Sequence, residues 1–145
     1  MKHRILFLCT GNSCRSQMAE GWTRHLKSDR FEAFSAGMDP QALNPYAIQV
    51  MLEAGVDISH HQSKHPDILQ EMAFDSVVAV CTHATHCNPA YPGKEPVICR
   101  SFDDPPKLAE SARNEEEKLE SYRRVRDEIR AFIEGFPESL EDARK

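Results

Sequence analysis

The 145-residue chain contains no apolar run near the roughly 18 residues of a membrane-spanning helix; its longest are residues 5–9 and 77–81. A bilayer-crossing segment is therefore not expected. Lys2, His3 and Arg4 could open a secretory leader, but the apolar stretch behind them is too short and runs directly into Thr10, Gly11, Asn12 and Ser13. An excess of basic charge is also missing. The 23 acidic residues outnumber 18 basic ones, and the formal net charge of -5 disfavours non-specific attraction to nucleic acid or anionic membrane. Neither G-x-x-x-x-G-K-[ST] nor G-x-G-x-x-G occurs, so no nucleotide-binding fingerprint is present. There is no repeat, linker or low-complexity tract. What remains is one domain over residues 1–145, long enough to bury about two thirds of its unfolded surface without disulfide staples. Cysteine is sparse and odd in number, five in all. That count speaks against a disulfide framework and for a cytoplasmic protein whose thiols do chemistry or bind metal.

Strands and helices alternate along the chain. Residues 4–8 form a continuous apolar run without alternation, the pattern of a strand buried on both faces of a parallel sheet. Residues 9–16 read as a loop, and Met18, Trp22 and Leu26 recur at helical spacing over residues 17–27, with Ser16 or Ser13 available as cap. A second strand is expected at residues 31–35. Asn44 then offers an N-cap, Pro45 the first helical position, Ile48, Met51 and Leu52 a stripe, and Gly55 the stop. A shorter helix over 66–72, strands at 76–80 and 96–99, and a long amphipathic helix marked by Leu119, Tyr122, Val125, Ile129, Phe132 and Ile133 and closed by Gly135 complete the reading. The implied fold is α/β, a three-layer sandwich with a four-stranded parallel sheet flanked by helices. In such sheets ligands sit beyond the carboxyl ends of the strands, where Cys9, Cys81 and the Asp103-Asp104 loop emerge.

The segment Cys9-x5-Arg15-Ser16, between a buried strand and a helix, reads as an oxyanion cradle. Backbone N–H groups of Thr10, Gly11, Asn12, Ser13 and Cys14 can turn inward, the helix N-terminus adds positive potential, and Arg15 supplies a planar fork of donors. The same field favours a thiolate, which makes Cys9 the candidate nucleophile. Gly11 permits close backbone approach, Asn12 can tie the loop through its amide, and Ser16 Oγ can hydrogen-bond the Cys9 thiolate or assist its departure. Asp104 is the candidate general acid, held extended by Pro105, while Asp103 reads as a solvated neighbour or brace.

Cys9-Thr-Gly-Asn-Ser-Cys-Arg-Ser-Gln-Met-Ala-Glu-Gly-Trp22, with Ser35-Ala36-Gly37, Asn44-Pro45, Asp57-Ile58-Ser59, Phe102-Asp103-Asp104-Pro105 and residues 124–129, resembles the thioredoxin-coupled arsenate reductases, which share the low-molecular-weight phosphotyrosine phosphatase fold. The loop alone does not separate a reductase from a phosphatase or from a non-catalytic oxyanion-binding regulator. The resemblance implies that Cys9 forms a thiol-arsenate adduct and Cys81 attacks Cys9. Cys87 then attacks Cys81, leaving a disulfide for thioredoxin, with no bound cofactor or metal. Those relatives carry one more residue between the last two cysteines. If the segment from Cys81 to Cys87 is helical, the pair lies about 9 Å apart along the axis, beyond the roughly 7 Å limit of a disulfide, so oxidation must unwind it. His83 and His86 read as solvated residues, as tuners of the thiols, or with Cys81 and Cys87 as zinc ligands. His60, His61 and His65 read as polar surface or loop-ordering groups. Cys14 and Cys99 are expected to be small packing residues without a redox role. Some of these reductases hold potassium with an Asn, a Glu, a Ser and an Asp. Asn12, Glu20 and Ser35 match the first three, but Lys64 stands at the Asp position, where its ammonium could replace the ion. Pro106 and Lys107 follow Pro105 where phosphatases of this fold carry aromatic residues, which favours a small inorganic oxyanion, arsenate, as substrate.

Overall fold

The computed structural model describes residues 2–69, 71–80 and 97–144. Cys81, His83, His86 and Cys87 lie outside the described residues. The elements are β1 (His3–Cys9), α1 (Arg15–Leu26), β2 (Phe31–Gly37), α2 (Pro45–Glu53), a 3-10 turn at Pro66–Leu69, β3 (Ser76–Ala79), β4 (Val97–Cys99), α3 (Pro105–Ala109), α4 (Glu115–Glu134) and α5 (Glu138–Arg144).

The four strands form one parallel sheet in the order β2-β1-β3-β4. β1 is central, and its side chains explain why. Ile5, Phe7 and Cys9 enter the larger core cluster, while Leu6 and Leu8 enter the smaller one with Ala36, Phe74 and Val77. A strand with both faces buried cannot alternate apolar and polar, which is the continuous run seen in the sequence. On the larger cluster pack Met18, Ala19 and Trp22 of α1, Ala47, Val50 and Met51 of α2, six residues of α4 from Leu119 to Ile133, and Leu140 of α5. On the opposite face Leu69, Met72 and Phe34 close over the smaller cluster. Among the described residues, no helix is long and apolar enough to cross a membrane.

Several expectations shift in detail. The region after Pro66 makes one 3-10 turn rather than a helix to residue 72. Leu52 is not part of the buried stripe of α2: Ala47, Val50 and Met51 fill the face at helical spacing, and Leu52, a further 100° round, is 59% exposed. Neither Ser13 nor Ser16 caps α1. The cap position is Cys14, with no side-chain hydrogen bond, because Ser16 is engaged inside the loop. The short helices α3 and α5 carry no strong periodic signal and were not expected.

Asn44 caps α2 as read from the sequence. Its Oδ1 accepts the N–H groups of Tyr46 at 2.8 Å and Ala47 at 3.3 Å, its Nδ2 donates to the Tyr122 hydroxyl at 3.0 Å, and its backbone N–H donates to Ser13 O at 2.9 Å. One side chain thus joins α2, α4 and the cradle. Replacing Asn44 with Ala removes the cap and is expected to cost about 1–2 kcal/mol, whereas Asn44→Ser, which keeps a cap acceptor, should retain most of it. Urea unfolding of the two variants compares these losses.

Candidate active site

The site is built where parallel strands end. Cys9 closes β1 beside Gly37, the last residue of β2, and the chain turns at once into the loop that feeds α1. Cys9, Asn12, Cys14, Arg15 and Ser16 are buried, Thr10 is exposed, and Gly11 and Ser13 are intermediate. The structure therefore brings together the whole predicted oxyanion set, with the sulfur at the bottom and the threonine at the rim.

Loop carbonyls, which would repel an anion, are occupied from outside. Thr10 O accepts from Asp39 N at 2.9 Å, Gly11 O from Gln41 N at 2.8 Å and Ser13 O from Asn44 N at 2.9 Å. Asn12 O accepts from Ser63 Oγ at 2.6 Å and from Gln17 Nε2 at 3.0 Å. A peptide whose carbonyl is pinned outward turns its N–H edge the other way, the arrangement of an anion nest.

Asn12 fixes the polarity at the sulfur. The backbone N–H of Lys64 donates to Asn12 Oδ1 at 2.9 Å, and a backbone N–H can only donate, so the amide nitrogen is the end that faces Ser16. Asn12 Nδ2 then donates to Ser16 Oγ at 2.9 Å. With its acceptor side so engaged, the Ser16 hydroxyl directs its proton to Cys9 Sγ, 2.8 Å away. A thiolate at Cys9 gains a buried donor. Cys14 is different: burial, and after it the charge of Cys9, push its thiol well above the usual range, so it stays protonated. Cys9 and Cys14 are both free.

Arg15 links the cradle to the acid loop. Its Nη1 donates to Phe102 O at 3.0 Å and its Nη2 lies 3.8 Å from Asp104 Oδ1. Asp104 has the extended backbone that Pro105 demands, with φ -84 and ψ 109, and begins α3 without using its carboxylate as a cap. Asp103 is a brace, ion-paired to Arg124. The Tyr122 hydroxyl, pushed up to about 12 by burial, stays protonated behind Asn44.

Behind the loop lies Glu20, 2% exposed. Ser35 Oγ donates to its Oε1 at 2.6 Å, Arg24 Nη2 is 3.2 Å from Oε2, His61 Nδ1 is 3.5 Å from Oε2, and Lys64 Nζ is 3.9 Å from Oε1. Burial lowers the pKa of both His61 and Lys64, against the opposing pull of Glu20. Neutral His61 donates through Nδ1 to Gln17 Oε1 at 3.0 Å, because Gln17 spends its amide N–H groups on Asn12 O and Gln62 O. His61 is thus a loop-ordering residue. Among the described residues, no group of three or more His, Cys, Asp or Glu could hold a metal ion.

Three residues of consequence were not singled out from the sequence. Gln17 and Ser63 hold the Asn12 carbonyl, and only the fold places residue 63 there. Gly37 is the third. A Cβ on it would sit 2.6 Å from Asn12 N, 2.7 Å from Thr10 O and 2.8 Å from Cys9 O, all backbone atoms. Gly11, read as the close approach, would meet only the side chains of Gln41 and Ser13 at 3.2 and 3.3 Å. Cys99 departs from expectation outright. It is exposed rather than packed, and it is disulfide-bonded.

Residues 4–145 match the family described as low molecular weight phosphotyrosine protein phosphatase. The chain belongs to that family. It is 46% identical to the arsenate reductase of Shouchella clausii over 142 residues, 97% of this chain and 99% of the relative. An arsenate reductase solved in the phosphate binding state superimposes with a TM-score of 0.75 at 30% identity, covering 92% of this chain and 95% of that one. The low molecular weight protein tyrosine phosphatase of T. tengcongensis does so at 0.66 and 27% identity, covering 97% and 99%. Reductases and a phosphatase of the family thus share this backbone.

Gly37→Ala should push the family's loop out of register and weaken oxyanion binding on the order of tenfold to a hundredfold, with Gly11→Ala far milder. Protection of Cys9 from iodoacetamide by phosphate, titrated in each variant, reads the effect.

Proposed function

We propose that the chain is an arsenate reductase. The observation that carries this reading is the hydrogen-bond chain from Lys64 N–H through Asn12 and Ser16 to the Cys9 sulfur, set beside Arg15 and Asp104. It is a site made to hold a thiolate against a tetrahedral oxyanion, and the 46% identity to an arsenate reductase supports arsenate as that oxyanion.

In the proposed sequence the Cys9 thiolate attacks arsenic, an S–As bond forms, and one arsenate oxygen leaves as water with a proton from Asp104. The cradle N–H groups and Arg15 hold the remaining oxygens. The Cys81 thiolate next attacks Cys9 Sγ. The S–As bond breaks with its electron pair on arsenic, arsenic falls from the +5 to the +3 state, and arsenite leaves a Cys9–Cys81 disulfide. Cys87 attacks Cys81, frees Cys9 and forms the Cys81–Cys87 disulfide, which thioredoxin in the cytoplasm reduces. No bound cofactor is required, because the two electrons come from thiols. A hydrolytic reading shares the cradle but has no use for Cys81 or Cys87. Pro106 and Lys107, in the first turn of α3, offer an aryl ring nothing to stack on.

Arsenate-dependent NADPH oxidation with thioredoxin and thioredoxin reductase tests the proposal. Steady turnover is expected for the wild type and its loss after the first cycle for Cys87→Ser. Aryl phosphate hydrolysis that persists without Cys87, with no arsenate turnover, would establish the phosphatase instead. Binding of arsenate with no reductant consumed would leave a regulator.

Lys64 carries a second expectation. Its ammonium near Glu20 and Ser35 occupies the place of a loop-stiffening cation. Turnover should be equal in potassium and sodium salts at matched ionic strength. Activation by potassium over sodium would show that Lys64 does not fill that place.

A further inference from the structure

The disulfide at Cys99 is the one feature of the sheet that the cradle chemistry does not absorb. Cys99 ends β4, which lies at the outer edge of the sheet, and its side chain is exposed. Cys9 and Cys14 are free thiols, and the chain has five cysteines, so only Cys81 and Cys87 are available to share the bond. The register brings the two segments together. Ala79 pairs with Cys99, and Arg100 N donates to Ala79 O at 3.0 Å. The strand that runs through Val80 into the sequence of Cys81 is thus the neighbour of the strand that Cys99 closes. Arg100 follows directly, and a guanidinium near a cysteine favours the thiolate that exchange requires.

We propose that Cys99 is the exit thiol of the relay, taking over the disulfide after Cys87 has resolved it; this rests on the reductase reading above. The Cys99 thiolate attacks one sulfur of the Cys81–Cys87 disulfide. One S–S bond forms to Cys99, one breaks, and the departing sulfur leaves as a thiolate that takes up the proton Cys99 gave up. No net electrons move in this exchange, since the pair already resides on arsenite. The outcome is positional: the oxidised bond ends on an exposed edge strand, where a folded dithiol reductant can place its own thiolate.

Trypsin separates the players. Cys81 and Cys87 share the fragment 65–94, while Cys99 lies alone in 95–100. Protein reduced with dithiothreitol and desalted without oxygen is mixed with stoichiometric arsenate, quenched in acid, alkylated with iodoacetamide and digested without reductant. The proposal expects fragments 65–94 and 95–100 joined by a disulfide, and only in the sample that received arsenate. Arsenite released while Cys99 is fully alkylated would overturn the exit thiol alone, as would a linked pair that forms equally without arsenate. No arsenite at all would overturn the reductase reading beneath it. Cys99→Ser should abolish the linked mass and lower steady turnover with thioredoxin about tenfold. Unchanged turnover in that variant would also overturn the proposal.

Discussion

The site depends on the backbone and side chain of Asn12. This residue has φ 48, a left-handed conformation that asparagine tolerates better than most because its short amide bonds locally. Glycine would take the conformation at less cost but would remove the bridge between Lys64 N–H and Ser16. Aspartate would keep the acceptor and lose the donor, leaving Ser16 free to turn its proton away from sulfur and adding a second anion beside a thiolate. Only an amide presents an acceptor to Lys64 and a donor to Ser16 at once. Because the Asn12 side chain is fully buried, either bond left unmade would cost on the order of 1–3 kcal/mol, which makes the polarity of the chain robust.

The Glu20 cluster extends that constraint outward. A buried carboxylate needs compensation, and here it comes from Ser35 on β2, Arg24 on α1, and His61 and Lys64 on the segment before the 3-10 turn. Lys64 is the hinge of the arrangement. Its ammonium faces Glu20 and its backbone N–H holds Asn12, so the charge cluster behind the loop and the hydrogen-bond chain within it share one residue. Gly37 N donates to Lys64 O at 2.8 Å, which ties the same segment to the end of β2 and so to the one position where a side chain would strike the loop. Positive potential from the cradle and negative potential from Glu20 are thereby held on opposite sides of Asn12.

How much of this was legible in the sequence follows the range of each interaction. The β1 run, the Asn44 cap with Pro45 behind it, the heptad-like face of α4 and the C-x5-R-S loop are written within a dozen residues each, and all were readable. Asn12 as the tie of its own loop was readable too, since Ser16 is one turn away. The partners that set its polarity were not: Lys64 lies 52 residues away and Ser63 51, and no local pattern announces a backbone N–H that arrives from another segment. Gly37 carries a motif match but no periodic signal of its own, and its reason appears only when β2 is laid against β1. Short helices such as α3, begun by two prolines, have too few residues for a 3.6-residue period to register.

The sheet order also constrains how oxidising equivalents could leave. Cys9 is 6% exposed at the end of a central strand, so a folded reductant cannot bring its own thiolate to that sulfur. Any disulfide formed there must be passed outward through intramolecular exchange, and exchange requires sulfurs in contact in turn. Going from β1 through β3 to β4 crosses two strand spacings of about 4.8 Å each, roughly 10 Å in all, which is more than one exchange step can span. A relay with thiols at successive stations is the arrangement that this distance imposes. On β2, the other side of β1, the strand residues are Phe31, Glu32, Ala33, Phe34, Ser35, Ala36 and Gly37, with no cysteine among them, so outward traffic has only the β3 and β4 side to use.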